Sequence, residues 1–167
     1  MKRVLARIFD VVFVLTFVAV IWSLVRQQST GAEPGSRIDP LYLKTLSGET
    51  ELLKPNGRPL LVAAVASWCG ACKRSNVHLE ALFDMGKEAP IDVVVVSVDE
   101  SMDSLQRAAR SWPIRHRILT DHDGSFSRAF RVEALPTYTL LDENGRVIDV
   151  HVGPAGASTI RTWLNPK

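Results

Sequence analysis

The sequence predicts an α/β domain with a mixed central sheet, preceded by one N-terminal transmembrane helix. Short apolar runs typical of strands alternate with stretches typical of helices. The last two runs flank Glu143-Asn144-Gly145, a strong signal for a β-hairpin. Strands joined through helices run parallel and strands joined by a tight turn run antiparallel. The order β-α-β-α-β-α-β-β-α therefore implies a mixed sheet.

Length and composition indicate one ordinary globular domain and an additional segment. Of the 167 residues, 46% are apolar and 23% are charged. The formal charge is only +2, with 20 basic and 18 acidic residues interspersed, which gives no electrostatic argument for nucleic-acid binding. Two cysteines are too few for the disulfide framework of small secreted domains. No second CxxC or HxxxH accompanies them, which argues against a structural zinc site.

The N-terminus, residues 1–26, reads as a cytoplasmic basic end followed by a transmembrane anchor. Residues 8–25 are almost wholly apolar, with Asp10 interrupting the run near its start, and these 18 residues are just long enough to cross a bilayer. Three basic residues precede the run and Arg26 alone follows it, so the N-terminus is expected in the cytoplasm. The remaining chain then lies outside the cytoplasm, where disulfides form and persist.

A cleaved signal peptide is the alternative, with Thr30-Gly31-Ala32 as the small-residue site. That site lies far beyond the apolar run, so we favour an uncleaved anchor. Residues 27–40 are rich in Gly, Ser, Pro and charge and are predicted to be a linker. The folded domain is then residues 41–167.

The first half of the domain contains three strand regions and one helix. Residues 41–53 indicate short strands around a turn, and Asn56-Gly57-Arg58-Pro59 leads into an apolar core strand at 60–66. Residues 73–87 are predicted to be helical, with Gly86 as the C-terminal stop. The next strand, 91–98, is apolar enough to be covered on both faces.

The second half begins with a helix over 101–111, where early Asp and Ser and late Arg residues suit the helix dipole. A strand at 117–120, a turn and a short helix at 125–131 follow. The chain then forms the predicted hairpin strands 137–142 and 146–152 and closes with a helix over 157–164.

The two cysteines, Cys69 and Cys72, lie directly after the core strand 60–66, at the start of the following helix. Residues three apart on the first turn of a helix share a face, and two thiols there are close enough to bridge. Cys69 falls near the helix N-cap, where free backbone N–H groups and the positive dipole end favour a thiolate. The spacing predicts a dithiol/disulfide exchange centre at the carboxyl end of a strand.

Trp68-Cys69-Gly70-Ala71-Cys72 between a strand and a helix, then Leu135-Pro136-Thr137 before a hairpin and a final helix, resembles the thioredoxin fold, a three-layer α/β/α architecture. The resemblance covers about residues 38–165. Within that superfamily the chain is most similar to the TlpA/ResA group of membrane-anchored thiol–disulfide reductases. The N-terminal anchor, the extra strand and helix at 91–111, and the Val-Ser-Val-Asp-Glu segment carry this similarity.

The resemblance implies a single-pass protein of the bacterial inner membrane whose C-terminal domain faces the periplasm. Its partners would be a protein carrying a disulfide or dithiol and an electron donor in the membrane. Its only redox group would be the Cys69–Cys72 disulfide, with no other cofactor and no metal. Cys69 would attack the partner and Cys72 would resolve the mixed disulfide.

The resemblance also implies which residues meet the partner. Pro136 occupies the position of the family's cis proline, which leaves Cys69 uncovered. The backbone of Leu135 would pair with the partner's extended chain, as in strand addition. Trp68, which either shields the site or packs beside it, and the intervening Gly70 and Ala71 complete the expected partner-binding residues.

Two acidic residues of the relatives are missing. Thioredoxins carry a buried aspartate six residues before the first cysteine, where this chain has Ala63. TlpA/ResA-type members often carry a glutamate three residues after the second cysteine, where this chain has Ser75. Because those acids move protons to and from the resolving thiol, a different proton route is expected. In this respect the chain resembles the ScsD-like branch of suppressors of copper sensitivity.

Two other functions stay open. A copper-binding thioredoxin-like module, active in copper handling or oxidase assembly, would use a CxxxC and a distant histidine. This chain has CxxC, and its four histidines are scattered. Peroxidase activity ranks last, because peroxiredoxins place their reactive cysteine in a different local motif.

Overall fold

The computed structural model describes residues 12–21, 31–98, 101–112 and 114–164. Residues 12–21 are helical (α1) and exposed. The rest of the predicted anchor, together with residues 27–30 of the predicted linker, lies outside the described residues. Among the helices that are described, none combines the length and apolar character that crossing a bilayer requires.

Seven strands and four further helices make up the described domain. The strands are β1 (Leu41–Thr45), β2 (Thr50–Leu53), β3 (Leu60–Val65), β4 (Asp92–Ser97), β5 (Arg117–Thr120), β6 (Thr137–Leu141) and β7 (Val147–Val152). The helices are α2 (Gly70–Asp84), α3 (Met102–Ala109), α4 (Ser125–Ala129) and α5 (Ala157–Leu164), with a 3₁₀ turn at Gly86–Glu88. Most boundaries fall within two residues of the sequence prediction. The exception is α2, which begins three residues earlier because Cys69 caps it.

The strands form one mixed sheet in the order β2-β1-β5-β4-β3-β6-β7. Strands β3, β4 and β5 are parallel, while β6 pairs antiparallel with both β3 and β7. The mixed sheet and the final hairpin are confirmed. The prediction that every helix links parallel strands was wrong for α4, since β5 and β6 run in opposite directions.

The reason is the length of α4, which has only five residues. A helix of about 7.5 Å is too short to return along the sheet to the opposite end. The chain stays at the carboxyl end of β5 and enters β6 from there. The segment before β6 therefore lies at the same end of the sheet as Cys69, which follows the carboxyl end of β3.

Both faces of the sheet are covered, so β3 is buried along its whole length. On one face Leu61, Ala63 and Val65 share a core with the buried side chains of α2 and α5. On the other face Leu60, Val62 and Ala64 share a core with residues of β1 and α4. The alternation follows from the two-residue period of a strand and gives the three-layer arrangement expected from the resemblance.

Residues 31–40, which the sequence assigns to the linker, are hydrogen-bonded to the domain. The Gly31 N–H donates to the Arg131 carbonyl at 2.7 Å, and the Ile38 N–H donates to the Gly145 carbonyl at 2.9 Å. Ala32 is buried in the core on the α4 face. The packed structure therefore begins before residue 41, because these residues also hydrogen-bond to the start of β7, where the Gly35 N–H donates to the Val147 carbonyl at 2.8 Å.

Candidate active site

The cysteine pair lies where β3 ends and α2 begins. Cys69 is the N-cap of α2, with non-helical φ −79° and ψ 104°, and its own N–H donates to the Ala66 carbonyl at 3.1 Å. Cys72 lies on the first turn, and its sulfur is bonded to that of Cys69, with the two Cα atoms 5.3 Å apart. The bridge predicted from the spacing is present.

The N-terminus of α2 donates a hydrogen bond to the Cys69 sulfur. The Cys72 N–H, one of the helix N-terminal donors without an intrahelical acceptor, donates to Cys69 Sγ at 3.1 Å. Cys72 is only 2% exposed and Cys69 is 6% exposed. A negative charge on Cys69 would thus be stabilised by a directed N–H and by the helix dipole, and the less exposed Cys72 lacks that position.

The residues around Cys69 form an open rim. The Trp68 side chain is 60% exposed, Gly70 is exposed and Ala71 is half-buried. A Cβ added at Gly70 would meet only the Arg74 guanidinium, at 3.8 Å, so packing leaves room above this residue. A partner chain can therefore approach the disulfide from the side of Trp68 and Gly70.

Leu135 and Pro136 directly precede β6, and Leu135 packs against the core cluster that contains Cys69 and Cys72. Thr137, the first residue of β6, pairs with Ala64 of β3, so the ladder begins near the end of β3 that leads to Cys69. The Leu135–Pro136 peptide bond is cis, as the resemblance implies. The Pro136 carbonyl accepts from the Gly153 N–H at 2.8 Å, while the backbone of Leu135 makes no hydrogen bond within the described residues.

A residue that sequence reasoning missed holds α4, the helix preceding Leu135. The Asp121 carboxylate accepts from the Phe126 N–H at 2.9 Å, and from the N–H and hydroxyl of Ser127 at 3.0 and 2.6 Å. It is nine-tenths buried. The sequence showed Asp121 only as part of a turn, although an Asp a few residues before a helix is also a capping signal.

The two positions without an acid lie beneath the cysteines. Ala63 is fully buried and stands opposite Tyr138 in the sheet. Ser75, on α2 one turn after Cys72, is 1% exposed; its hydroxyl donates to the Ala71 carbonyl at 3.3 Å and accepts from the Ala155 N–H at 3.0 Å. The residues that replace the acids are thus one methyl group and one neutral hydroxyl.

Tyr138 is the second residue that sequence reasoning missed, because nothing in a strand pattern distinguishes it from ordinary core. It is 1% exposed, and its hydroxyl is one of the buried polar atoms that lack a hydrogen-bond partner among the described residues. Burial raises the pKa of Tyr138. The neighbouring Ser75 hydroxyl opposes that shift, although the two hydroxyls do not meet hydrogen-bond geometry.

The histidines give no support to a copper site. The rings of His116 and His151 hydrogen-bond to the carbonyls of Leu79 and Pro154. His122 is exposed. Within the part of the chain that the structure describes, no three His, Cys, Asp or Glu side chains are grouped to hold a metal ion.

A CxxC disulfide at the N-cap of a helix, beside a cis proline on a mixed sheet, defines a thioredoxin-like thiol–disulfide oxidoreductase. Comparison with known proteins gives the family. Residues 34–164 match the Redoxin family model, and the chain belongs to that family.

Individual relatives agree with this assignment. The chain is 30% identical over 138 residues to the thioredoxin-like protein YneN of Bacillus subtilis, covering 79% of this chain and 81% of YneN. It is 27% identical over 123 residues to the thiol–disulfide oxidoreductase ResA of Halalkalibacterium halodurans, covering 73% of this chain and 70% of ResA. The crystal structure of StoA from Bacillus subtilis shares the fold, with a TM-score of 0.67 at 20% identity over 78% of this chain and 98% of StoA. The predicted membership of the thioredoxin superfamily, close to ResA, is confirmed.

Proposed function

We propose that this oxidoreductase reduces disulfides in partner proteins outside the cytoplasm, with Cys69 as the nucleophile and Cys72 as the resolving thiol. The observation that carries the proposal is the hydrogen bond from the Cys72 N–H to Cys69 Sγ at the helix N-cap. It gives the two cysteines different chemistry. The sulfur that the helix terminus stabilises is the one poised as a thiolate near neutral pH.

The reaction begins from the dithiol, with the Cys69 proton lost to water. The Cys69 thiolate attacks one sulfur of the partner's disulfide, forming a mixed disulfide and releasing the other partner sulfur as a thiolate, which takes a proton from water. Cys72 then loses its proton to water and attacks Cys69 Sγ. The bond to the partner breaks, its sulfur leaves with the electron pair and takes a proton from water, and the Cys69–Cys72 bond forms. Two electrons and two protons have passed to the partner.

Partner binding uses the rim around the disulfide. The Leu135 backbone, without a hydrogen bond in the described structure, is available to pair with an extended partner segment. The buried Pro136 fixes the direction of that backbone. Trp68 offers a large exposed apolar surface, and Gly70 and Ala71 leave space for the partner's main chain.

The location proposed is the bacterial inner membrane, with one N-terminal anchor and the domain in the periplasm. The basic residues before the apolar run 8–25 support this orientation. A dithiol that has reduced a partner must be reset with two electrons, so we include a membrane electron donor. Cytochrome c maturation and copper tolerance are both roles that the family resemblance allows. We propose copper tolerance because the chain resembles the ScsD-like branch in lacking the acids at Ala63 and Ser75.

The test of the chemistry uses the purified full chain and two matched variants. Reduction of insulin disulfides, with a chemical dithiol as electron source, is expected for the natural chain and not for Cys69→Ser. Cys72→Ser should instead accumulate a covalent, reductant-sensitive adduct with the partner, because the first attack still occurs. If Cys69→Ser reduces insulin as well as the natural chain, Cys69 is not the nucleophile.

The test of location uses intact cells. A thiol reagent that cannot cross the inner membrane should modify reduced Cys69 after the outer membrane is permeabilised. Protection until the inner membrane is lysed would refute the proposed orientation. Adducts captured by Cys72→Ser in the same cells would identify the partners, and apocytochromes among them would argue against copper tolerance.

A further inference from the structure

The starting point is a polar group buried in the core without a partner. The hydroxyl of Tyr138 is enclosed and makes no hydrogen bond among the described residues, whereas nearly all buried polar groups in native proteins are paired. An unpaired buried hydroxyl destabilises a fold, and phenylalanine would pack the same ring without that cost. The presence of tyrosine here calls for a state of the protein in which the hydroxyl is used.

The position of Tyr138 connects it to the resolving cysteine. Tyr138 faces Ala63 across the β3–β6 ladder, on the sheet face that packs against α2. Ser75, the residue whose hydroxyl acts on Tyr138, lies on the same face of α2 as Cys72, one turn later. Cys72 and Tyr138 thus belong to one core cluster, and Ser75 is buried on the helix face that it shares with Cys72.

We propose that the Tyr138 hydroxyl, acting through Ser75, stabilises the thiolate of Cys72 when the disulfide is reduced. This rests on the proposed function, in which Cys72 resolves the mixed disulfide. Tyr138 is a positioning residue, and together with Ser75 it provides two neutral hydroxyls where the relatives use carboxylates.

The hydrogen-bond donors and acceptors of Cys72, Ser75 and Tyr138 can all be paired in the reduced form, which supports this proposal. In the disulfide form the Ser75 hydroxyl donates a long hydrogen bond of 3.3 Å to the Ala71 carbonyl. That carbonyl can also accept from backbone N–H groups of the helix, so it does not depend on Ser75. Reduction leaves a buried sulfur at Cys72 that needs a donor. If Ser75 turns its O–H to that sulfur, its oxygen can accept from Tyr138 as well as from the Ala155 N–H. Every group is then satisfied, including the hydroxyl that is unpaired in the oxidised form.

The neutral pair has a chemical consequence. A carboxylate can take up the proton of the resolving thiol, whereas the tyrosine and serine hydroxyls form hydrogen bonds but do not take up a proton at neutral pH. The Cys72 proton therefore goes to water, and the pair acts by stabilising the thiolate that remains. The titration curve of the Cys72 thiol should therefore show a single ionisation step, without a second step from a neighbouring carboxyl group.

Titratable and charged groups face Tyr138 and Ser75 from β7, α2 and α5. On β7, the His151 ring lies 6.1 Å from the Tyr138 ring between centroids, and the Asp149 carboxylate accepts from the indole N–H of Trp163, which also packs on Tyr138. On α2, Lys73 and Arg74 are exposed, and on α5, Arg161 is exposed. A His151→Gln variant separates the histidine's contribution from that of the hydroxyl.

The experiment measures the ionisation of Cys72 in the full chain carrying Cys69→Ser, by the ultraviolet absorbance of the thiolate against pH. This readout does not require a reagent to reach the buried sulfur. Adding Tyr138→Phe should reduce the thiolate-to-thiol ratio about fivefold, which is the size of the lost hydrogen bond from Tyr138 to the neutral Ser75 hydroxyl. Tyr42→Phe makes the same atomic change at an exposed site and should leave the ratio unchanged.

Ser75→Ala should shift the ratio in the same direction, and the double variant should add little, because both residues act along one path. In chains with both cysteines, release of glutathione from a mixed disulfide on Cys69 should slow by about two- to threefold at pH 7 in Tyr138→Phe. The fall in thiolate fraction is partly offset by the higher nucleophilicity of a more basic thiolate.

The stability and the Cys72 ionisation of Tyr138→Phe together separate a functional hydroxyl from simple packing. Tyr138→Phe keeps the ring and removes an unpaired hydroxyl, so the oxidised variant should unfold at the same or a higher temperature than the natural chain. A well-folded Tyr138→Phe with unchanged Cys72 ionisation overturns the inference and leaves Tyr138 as packing alone. Failure of the natural chain to reduce insulin would overturn the proposed function instead, and the Cys72 titration would still report on the hydroxyl.

Discussion

The placement of Cys69 at the N-cap of α2 leads to a quantitative prediction for the reduced protein. In the Cys72→Ser variant, Cys69 is the only thiol and the backbone N–H at position 72 is retained. A hydrogen bond to a charged group contributes about 1.5–3 kcal/mol, and a helix N-terminus adds about 0.3–1 kcal/mol. Near-burial of Cys69 opposes these terms, since desolvation disfavours a charge.

We take the net stabilisation of the Cys69 thiolate as about 2 kcal/mol, at the lower end of that sum. Since about 1.4 kcal/mol corresponds to a factor of ten, the thiolate-to-thiol ratio should be roughly thirty times higher in the folded chain than in the unfolded chain at the same pH. The assay is the ultraviolet absorbance of the thiolate against pH, with the same variant in urea as the reference. Cys69→Ser, which leaves only the more buried Cys72 without the N-cap hydrogen bond, serves as the matched control and should show a smaller enhancement.

The same shift makes the stability of the reduced chain depend on pH. The folded-state pKa of Cys69 is expected below that of an ordinary thiol. Its contribution should therefore be fully present above the unfolded thiol's pKa, near about 8.5, and be lost as the pH falls through the lower folded value. Equal ionisation of Cys69 in the folded and urea-unfolded chains would refute the reasoning from the N-cap.

Three further predictions follow from other parts of the structure. Trp68→Ala should slow reduction of protein disulfides while changing the free energy of unfolding by less than about 1 kcal/mol, because the ring is largely exposed; equal rates with insulin would contradict its role in binding. Phe126→Ala should cost about 3–5 kcal/mol in urea unfolding, because this ring is 1% exposed and stacks on Phe130 at 4.4 Å; a loss below about 1 kcal/mol would contradict the packing. The Arg115 guanidinium donates to Asp84 at 2.7 Å and holds the pKa of that carboxyl below its usual value. Asp84→Asn should therefore lower stability slightly at neutral pH, and the difference should vanish as the pH falls through the depressed pKa; a difference that persists in acid would show another cause.

Much of the fold was predictable because its signals are local. The apolar run at 60–66 and the hairpin turn at Glu143-Asn144-Gly145 depend on neighbouring residues, and the corresponding strands are present. The error at α4 arose because a helical pattern says that a helix forms, but not that the chain crosses the sheet. Only five helical residues formed there, which kept the chain at one end of the sheet.

Residues 31–40 are a second segment whose tertiary contacts the sequence did not predict. Their Gly, Pro and polar content is typical of a linker, and composition is all that the sequence offers there. Their hydrogen bonds go to carbonyls near residues 131 and 145, which are distant along the chain. Composition does not encode partners that only the folded sheet brings close.

By itself, the sequence determined the reactive pair. Cys69 and Cys72 are three residues apart at a strand-to-helix junction, and helix geometry alone brings their sulfurs together. The tertiary structure decided what surrounds them. Strand register pairs Tyr138 with Ala63, and packing brings Tyr138 and Leu135 to the core cluster that contains Cys69 and Cys72. These neighbours come from distant parts of the chain, and their contacts depend on the direction in which each strand enters the sheet.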